Sequence, residues 1–208
     1  LPHLMDIWKA AGPSIDFLSP DFYNPNFRHW CDLYTRQRDP LFVPEHAFDN
    51  TVAAKALFTL GHYEGLGFSP FSIEDETNPE DHHLSKVYKV IGQIGHLITE
   101  KHGQNKMDGV LLDKEVKENN FRLGKYEFTV RHSYTLGYEA NSRNDNWEPA
   151  GAIVIQTGTD EYYVAGSVVV LTFKNLGNPR ANVGILKVDE GCFENTMWKV
   201  VRHLNGDQ

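Results

Sequence analysis

The hydrophobic pattern of this chain changes its period near residue 105, and this change restricts the fold to two unlike parts. Before that point, short apolar runs alternate with stretches in which apolar residues recur every three or four positions. After it, apolar residues mostly recur at every second position, in short runs separated by Gly, Asn and Pro. The first pattern is typical of alternating strands and helices, and the second of antiparallel strands. We therefore predict one domain at 1–102 and another at 103–208.

Three strand–helix pairs are predicted in the first part. A repeated strand–helix pattern indicates a parallel sheet, either doubly wound or closed into a barrel. No glycine-rich turn follows the first predicted strand, so the sheet lacks the fingerprint of dinucleotide binding. The predicted strands are 15–18, 40–44 and 66–71, and the predicted helices are 27–34, 52–60 and 84–98.

The second part is predicted to be an antiparallel β-sandwich, because many short strands occur there without a helical stripe. The turn Thr157-Gly158-Thr159-Asp160 between two apolar runs predicts a hairpin. The predicted strands are 126–136, 152–156, 162–165, 168–173, 183–188 and 198–201.

Composition excludes several classes of function. The 208 residues hold 20 Lys and Arg against 28 Asp and Glu, a net charge of −8, which argues against a nucleic-acid partner. No apolar run approaches the ~20 residues of a membrane span, so we predict none. Cys31 and Cys192 lie far apart, which argues against a disulfide scaffold and a cysteine zinc site. The composition fits cytoplasm and periplasm equally.

Carboxylates and aromatic rings follow the predicted parallel strands. Glu45 comes directly after the second strand, Asp21 and Tyr23 follow the first, and Phe71 and Glu74 lie around the end of the third. Ligands bind at the carboxyl ends of parallel strands, so we expect these side chains at one edge of the sheet. For Glu45 the alternative is a solvent-facing strand terminus without a function. A carboxylate with aromatic rings suits glycoside hydrolysis.

Other kinds of chemistry are less favoured by the motifs. His46 and the pair His82-His83 are candidate metal ligands, but no HExxH or similar spacing accompanies them, and we predict no metal and no cofactor. A GxSxG nucleophile motif is absent. Cys31 lies on the apolar face of a predicted helix, where packing is the favoured role.

Several sequence runs, spread over nearly the whole chain, resemble glycoside hydrolase family 35. The similarity is to bacterial β-galactosidases of that family with an appended C-terminal β domain. The runs are PHLMDIWK at 2–9, IDFLSPDFY at 15–23, PLFVPE at 40–45, GFSPFSIE at 67–74, GVLLD at 109–113 and VDEG at 188–191.

The resemblance implies a retaining enzyme that removes terminal β-galactose from oligosaccharides or polysaccharides. It implies that the first hundred or so residues are the last three βα units of a (β/α)8 TIM barrel. Glu45 matches the position of the catalytic nucleophile, and Tyr23 is placed to hydrogen-bond its carboxylate. Phe71 is expected to wall the galactose pocket, and His46 either contacts the sugar or packs.

The chain departs from the family at the catalytic acid/base. That glutamate comes from an Asn-Glu pair after the fourth barrel strand, and this sequence has no Asn-Glu pair. A complete barrel takes ~250 residues, of which this chain supplies about 100. We therefore interpret the chain as a C-terminal fragment, or as one chain of a nicked or split enzyme, whose partner is the N-terminal half. Alone, it is expected to show only trace turnover, unless a nearby carboxylate such as Glu74 serves as the acid.

An alternative function is a noncatalytic carbohydrate-binding or interaction module. Aromatic rings in the β region could form a platform on which sugars stack. The competing interpretation is that rings with strand periodicity fill a core. The rings concerned are Tyr126, Tyr134, Tyr138, Trp147, Tyr162 and Tyr163.

Overall fold

The computed structural model describes residues 2–178 and 180–204. Helices and strands are mixed, with one parallel sheet in the first part of the chain and antiparallel sheets in the second. The elements of the first part are α1 (Met5–Ala11), β1 (Asp21–Phe22), α2 (Phe27–Thr35), β2 (Phe42–His46), α3 (Val52–His62), β3 (Gly67–Pro70) and α4 (His83–Lys101).

The parallel sheet has the strand order β1-β2-β3. Between β2 and β3 the register shifts, because Val43 lies opposite Phe68 while His46 lies opposite Pro70. Two residues of β2, Pro44 and Glu45, therefore face one residue of β3, which is the arrangement of a β-bulge. A bulge turns the strand locally and so sets the direction of the side chains that it contains.

The predicted helices of this part are confirmed, since 27–34, 52–60 and 84–98 fall within α2, α3 and α4. The prediction of a strand at 15–18 is wrong. The strand that pairs with β2 is Asp21–Phe22, beyond Pro20. Phe22 is 3% exposed and occupies the core, whereas Leu18 is only partly buried against the core from outside the sheet.

The second part holds two three-stranded antiparallel sheets, β4-β7-β8 and β5-β6-β9, and the hairpin β10-β11. The two sheets share a core: Val110 and Ala152 of one pack in a cluster with Val130 and Leu171 of the other. The strands are β4 (Met107–Leu112), β5 (Glu118–Leu123), β6 (Tyr126–His132), β7 (Ala150–Gln156), β8 (Tyr162–Ser167), β9 (Val169–Asn175), β10 (Val188–Glu194) and β11 (Met197–Leu204).

Two predicted strands have different bounds in the structure. The strand predicted at 126–136 stops at His132, and Ser133–Leu136 forms a 3₁₀ turn. His132 Nδ1 accepts a hydrogen bond from the backbone N–H of Tyr134 at 3.2 Å, and this bond starts the turn. Of the strand predicted at 183–188, only Val188 is in β10.

Helix α3 lies between the parallel sheet and the sheet β4-β7-β8. Glycines allow direct backbone contact with the latter sheet, since a Cβ on Gly61 would lie 2.8 Å from Gly109 Cα. A Cβ on Gly151 would lie 2.7 Å from the Cα of Ala54. Eight of the eleven residues of α3 are buried, as expected for a helix that is covered on both sides.

Candidate functional site

The ends of β1 and β2 bring Tyr23 and Glu45 together. Asp21 is the register partner of Glu45, and Tyr23 is the first residue after β1. Glu45 lies in the bulge, one residue before the end of β2. The Tyr23 hydroxyl donates a hydrogen bond to Glu45 Oε1, which is the contact that the sequence led us to expect.

The hydrogen bond to Glu45 changes the ionisation of the Tyr23 phenol. It raises the pKa of Tyr23 to about 12, with smaller contributions from desolvation and from the negative charges of Glu45 and Asp21. Tyr23 is 55% exposed and Glu45 is half-buried, so solvent reaches the pair. Within 2–178 and 180–204, no other side chain hydrogen-bonds Glu45, which leaves Oε2 of the carboxylate unengaged.

Phe71 belongs to the same edge of the sheet. It follows β3, and its side chain is 58% exposed. Its backbone N–H donates to the carbonyl of His46 at 2.8 Å, so the end of β3 is tied directly to the end of β2. Glu74 lies three residues further along, in the exposed 3₁₀ turn Ile73–Asp75. The edge therefore presents a carboxylate and two exposed rings.

His46 points away from this edge. Successive side chains of a strand alternate between its faces, and His46 is 2% exposed beside the half-buried Glu45. Its ring packs against those of Phe27 and Phe68, with centroids 5.5 and 5.3 Å away. Of the two alternatives for His46, contact with a sugar or packing, the geometry supports packing.

Lys55 is a feature of this region that sequence reasoning missed. It lies in α3, is only 8% exposed, and places Nζ 3.0 Å from His46 Nε2. The ammonium also lies 5.1 Å from the centroid of the Phe27 ring. Burial lowers the pKa of Lys55, and the negative charge of Asp49 partly opposes that shift. The available signal was a single charged residue in VAAKALF, a run that is otherwise apolar.

A cavity of about 490 Å³ lies elsewhere, between the first turns of α3 and α4 and the strands β7 and β8. Its rim carries Asn50, His83, Lys86 and Glu148 above a floor of small and aliphatic side chains. Glu45, Tyr23 and Phe71 do not line this cavity. We place the candidate site at the strand ends because the carboxylate and the exposed rings meet there.

In the described part of the chain, no three His, Cys, Asp or Glu side chains are grouped so that they could hold a metal ion. The helices at 2–178 and 180–204 include none with the length and apolar character needed to cross a membrane.

The aromatic residues of the β region mostly pack against one another. Tyr126 and Tyr162 have centroids 6.0 Å apart, and Tyr163 lies 5.2 Å from Phe193. Of the six rings that could have formed a platform, only Tyr138 is exposed, at 89%. The other five are buried or half-buried, so the structure favours the packing interpretation for them.

One protein-family model matches a large part of the chain. The model of a domain of unknown function, DUF5597, matches residues 84–208, which is more than half of the chain. The chain belongs to the DUF5597 family. The matched region begins in α4 and includes all the antiparallel strands, while the parallel sheet lies before it. No curated protein matches the sequence.

Proposed function

We propose that this chain carries the nucleophile-bearing part of a retaining glycoside hydrolase that removes terminal β-galactose from oligosaccharides or polysaccharides. In this proposal β1–β3 and their helices are the last three units of a TIM barrel, and the antiparallel sheets form a β-sandwich packed on it. The hydrogen bond between Tyr23 and Glu45 carries the proposal. It joins the ends of adjacent parallel strands, where barrel enzymes place their reacting groups. The choice of galactose rests on the family resemblance.

Glu45 acts as the nucleophile. Its unengaged Oε2 attacks the anomeric carbon, while a second carboxyl group protonates the departing oxygen, and a glycosyl-enzyme forms. The second group then removes a proton from water, which attacks the same carbon, releases galactose and regenerates the carboxylate. Tyr23 holds Glu45 by Oε1 and so orients it toward the sugar. Phe71 and Tyr23 provide exposed rings that wall the sugar pocket.

The second carboxyl group comes from outside the three described parallel strands. In retaining enzymes the two carboxyl groups lie ~5–5.5 Å apart. In the family that the chain resembles, the acid/base glutamate belongs to an Asn-Glu pair after the fourth barrel strand, and this sequence has no Asn-Glu pair. We therefore assign the acid/base to further strands that complete the barrel, in the N-terminal half of the same enzyme.

Exposed features of the first part support such a partner. In the described sheet, β1 and β3 each have a single strand neighbour, so each leaves one edge free for pairing. Ile7, Trp8 and Leu66 are 64%, 54% and 53% exposed. Large exposed apolar side chains mark surfaces that a partner covers.

The test is hydrolysis of nitrophenyl β-galactoside by the complete enzyme, in which this chain is joined to the complementary barrel strands. Glu45→Gln is expected to lower turnover by about 10⁴-fold or more, since losing a nucleophile removes the covalent route, while galactose affinity stays within a few-fold. Glu80→Gln, at an exposed loop position, is the matched control and should leave turnover unchanged. Full activity of Glu45→Gln would contradict the proposal.

The chain alone provides a second test. Without an acid, the leaving group departs unprotonated, a loss of typically 10²–10⁴-fold in rate. Robust hydrolysis by the 208-residue chain would contradict our assignment of the acid to the missing strands. Glu74→Gln then distinguishes the alternative, because it abolishes such activity only if Glu74 is the acid.

A further inference from the structure

We propose that Lys55 is a positioning residue for Glu45 and acts through His46. The catalytic meaning of this inference rests on the proposed function, but the coupling between the side chains does not. Lys55 lies on α3, behind the strand that carries Glu45, and contacts neither Glu45 nor Tyr23 by a hydrogen bond.

The hydrogen bonds around His46 can run in only one direction. His46 Nδ1 is 2.6 Å from the carbonyl oxygen of Ala47, and His46 Nε2 is 3.0 Å from Lys55 Nζ. A carbonyl can only accept and an ammonium can only donate. The imidazole is therefore neutral, with its proton on Nδ1, and Lys55 donates to Nε2. A chain of donors runs from Lys55 through His46 to the backbone of Ala47.

This chain of hydrogen bonds ends at the bulge that sets the direction of Glu45. His46 and Ala47 directly follow Glu45, and the backbone N–H of Ala47 donates to the carbonyl of Phe22 at 3.4 Å. Phe22 in turn precedes Tyr23. The anchored imidazole thus fixes the strand beside both members of the Tyr23–Glu45 pair. A bulge held in this way keeps a side chain aimed in one direction.

Burying a lysine at this position destabilises the fold unless its side-chain nitrogen donates a hydrogen bond. Burying an ammonium without a carboxylate partner is strongly unfavourable, and an apolar side chain of similar shape fills the space without that cost. In the part of the chain that the structure describes, Lys55 forms no ion pair, and His46 is its hydrogen-bond partner. Burial and the charge of Lys55 lower the pKa of His46, which keeps the ring neutral and able to accept.

The antiparallel sheet fixes the backbone position from which the Lys55 side chain extends. Its neighbour Ala54 lies so close to Gly151 of β7 that a Cβ on that glycine would be 2.7 Å from Ala54 Cα. Gly109 of β4 makes the corresponding close contact with Gly61, at the other end of α3. The DUF5597 region thereby seats the helix from which Lys55 reaches His46, and this gives the region a role in ordering the candidate site.

The experiment measures the ionisation of Tyr23 in this chain by NMR of ¹³Cζ-labelled tyrosine, with the resonance assigned by its loss in Tyr23→Phe. Lys55→Met keeps the volume of the side chain and removes the donor. The parent keeps a donor throughout the alkaline titration, because the neutral amine of Lys55 still carries N–H groups. We expect the pKa of Tyr23 to fall from about 12 toward its ordinary value of about 10. At pH 11 the ionised fraction would rise from about a tenth toward about nine-tenths. Lys89→Met, on the exposed face of α4, is the control and should leave the pKa of Tyr23 as it is in the parent.

The outcomes separate this inference from the proposed function, because the readout needs no turnover. A folded Lys55→Met protein with the parent's Tyr23 titration overturns the inference. If Lys55→Met does not fold, ¹⁵N NMR of the parent decides: a neutral His46 with its proton on Nδ1 supports the donor chain, and a proton on Nε2 overturns it. Absence of galactosidase activity in the complete enzyme would overturn the function alone.

Discussion

The ends of the parallel strands and the antiparallel sheets use the same kind of contact for different purposes. In the β region, Tyr134 donates to Glu148 at 2.9 Å, but the tyrosine is 4% exposed and its ring packs on other rings. Tyr23 donates to Glu45 from an exposed position at the end of a strand. A tyrosine–carboxylate bond is therefore not a sign of a functional site by itself. Its place in the sheet and its exposure are what make the Tyr23–Glu45 pair a candidate.

The same contrast applies to phenylalanine. Phe128, in β6, is 3% exposed and stacks on Phe121 with centroids 5.5 Å apart. Phe71, after β3, is 58% exposed. The first ring stabilises the fold, and in our proposal the second is available to a ligand. Substitutions in the two regions should accordingly differ in what they change.

The largest expected effect on stability is that of Phe128→Ala. Removing a fully buried phenylalanine costs about 3–5 kcal/mol in the free energy of unfolding. Phe71→Ala, the same substitution at an exposed position, should change that free energy by about 0.5 kcal/mol or less. Urea unfolding of both variants measures the difference. Equal losses of unfolding free energy in the two variants would contradict the distinction between the two regions.

A smaller loss is expected from Gly151→Val, which tests how closely the two regions are joined. The added side chain meets the backbone of α3 at Ala54, and overpacking of this kind costs about 1–3 kcal/mol. Gly92→Ala in α4 is the control, because a Cβ there has no neighbour within 4 Å, and the exchange should stabilise the helix by up to about 1 kcal/mol. If Gly151→Val is as stable as the parent, α3 is not seated on the antiparallel sheet as described.

The smallest expected effect is the pH dependence of Tyr23→Phe. The folded-state pKa of Tyr23, about 12, is raised above its ordinary value of about 10. Such a group contributes its stabilisation fully below about pH 10 and loses it as the pH rises toward 12. The difference in unfolding free energy between the parent and Tyr23→Phe should thus be constant from pH 7 to 9 and shrink above pH 10.

Urea unfolding at pH 8 and at pH 11 measures this change. Tyr138→Phe is the control, since Tyr138 is 89% exposed and has no hydrogen-bond partner in the described residues. A difference between Tyr23→Phe and the parent that is the same at both pH values would mean that the bond to Glu45 is absent in solution.

Local pattern predicted much of this fold because many elements expose one face. Helices α2 and α4 keep one apolar stripe, and β6 alternates, so their spacing revealed them. Residues 15–18 misled the prediction because an apolar run can pack against a core without joining a sheet. The true strand, Asp21–Phe22, is only two residues long and carries too little pattern to detect.

The candidate site was only partly predictable. Strand ends and the family resemblance pointed to Glu45 and Tyr23, since both signals depend on residues close in sequence. Lys55 was missed because a lysine in a helix normally faces water. Lys55 is instead turned toward His46 and the Phe27 ring, because the other face of α3 packs on β4 and β7. These strands are 45 or more residues away along the chain.

The most direct test of the central claim is to trap the covalent intermediate in the complete enzyme. An activated 2-deoxy-2-fluoro-β-galactoside destabilises the oxocarbenium-like transition state of both steps, while its good leaving group still allows the enzyme to be glycosylated. Proteolysis and mass spectrometry then locate the attached sugar. The proposal predicts the label on Glu45, in the peptide that contains PLFVPEH, and predicts none in Glu45→Gln. A label on any other carboxylate would contradict it.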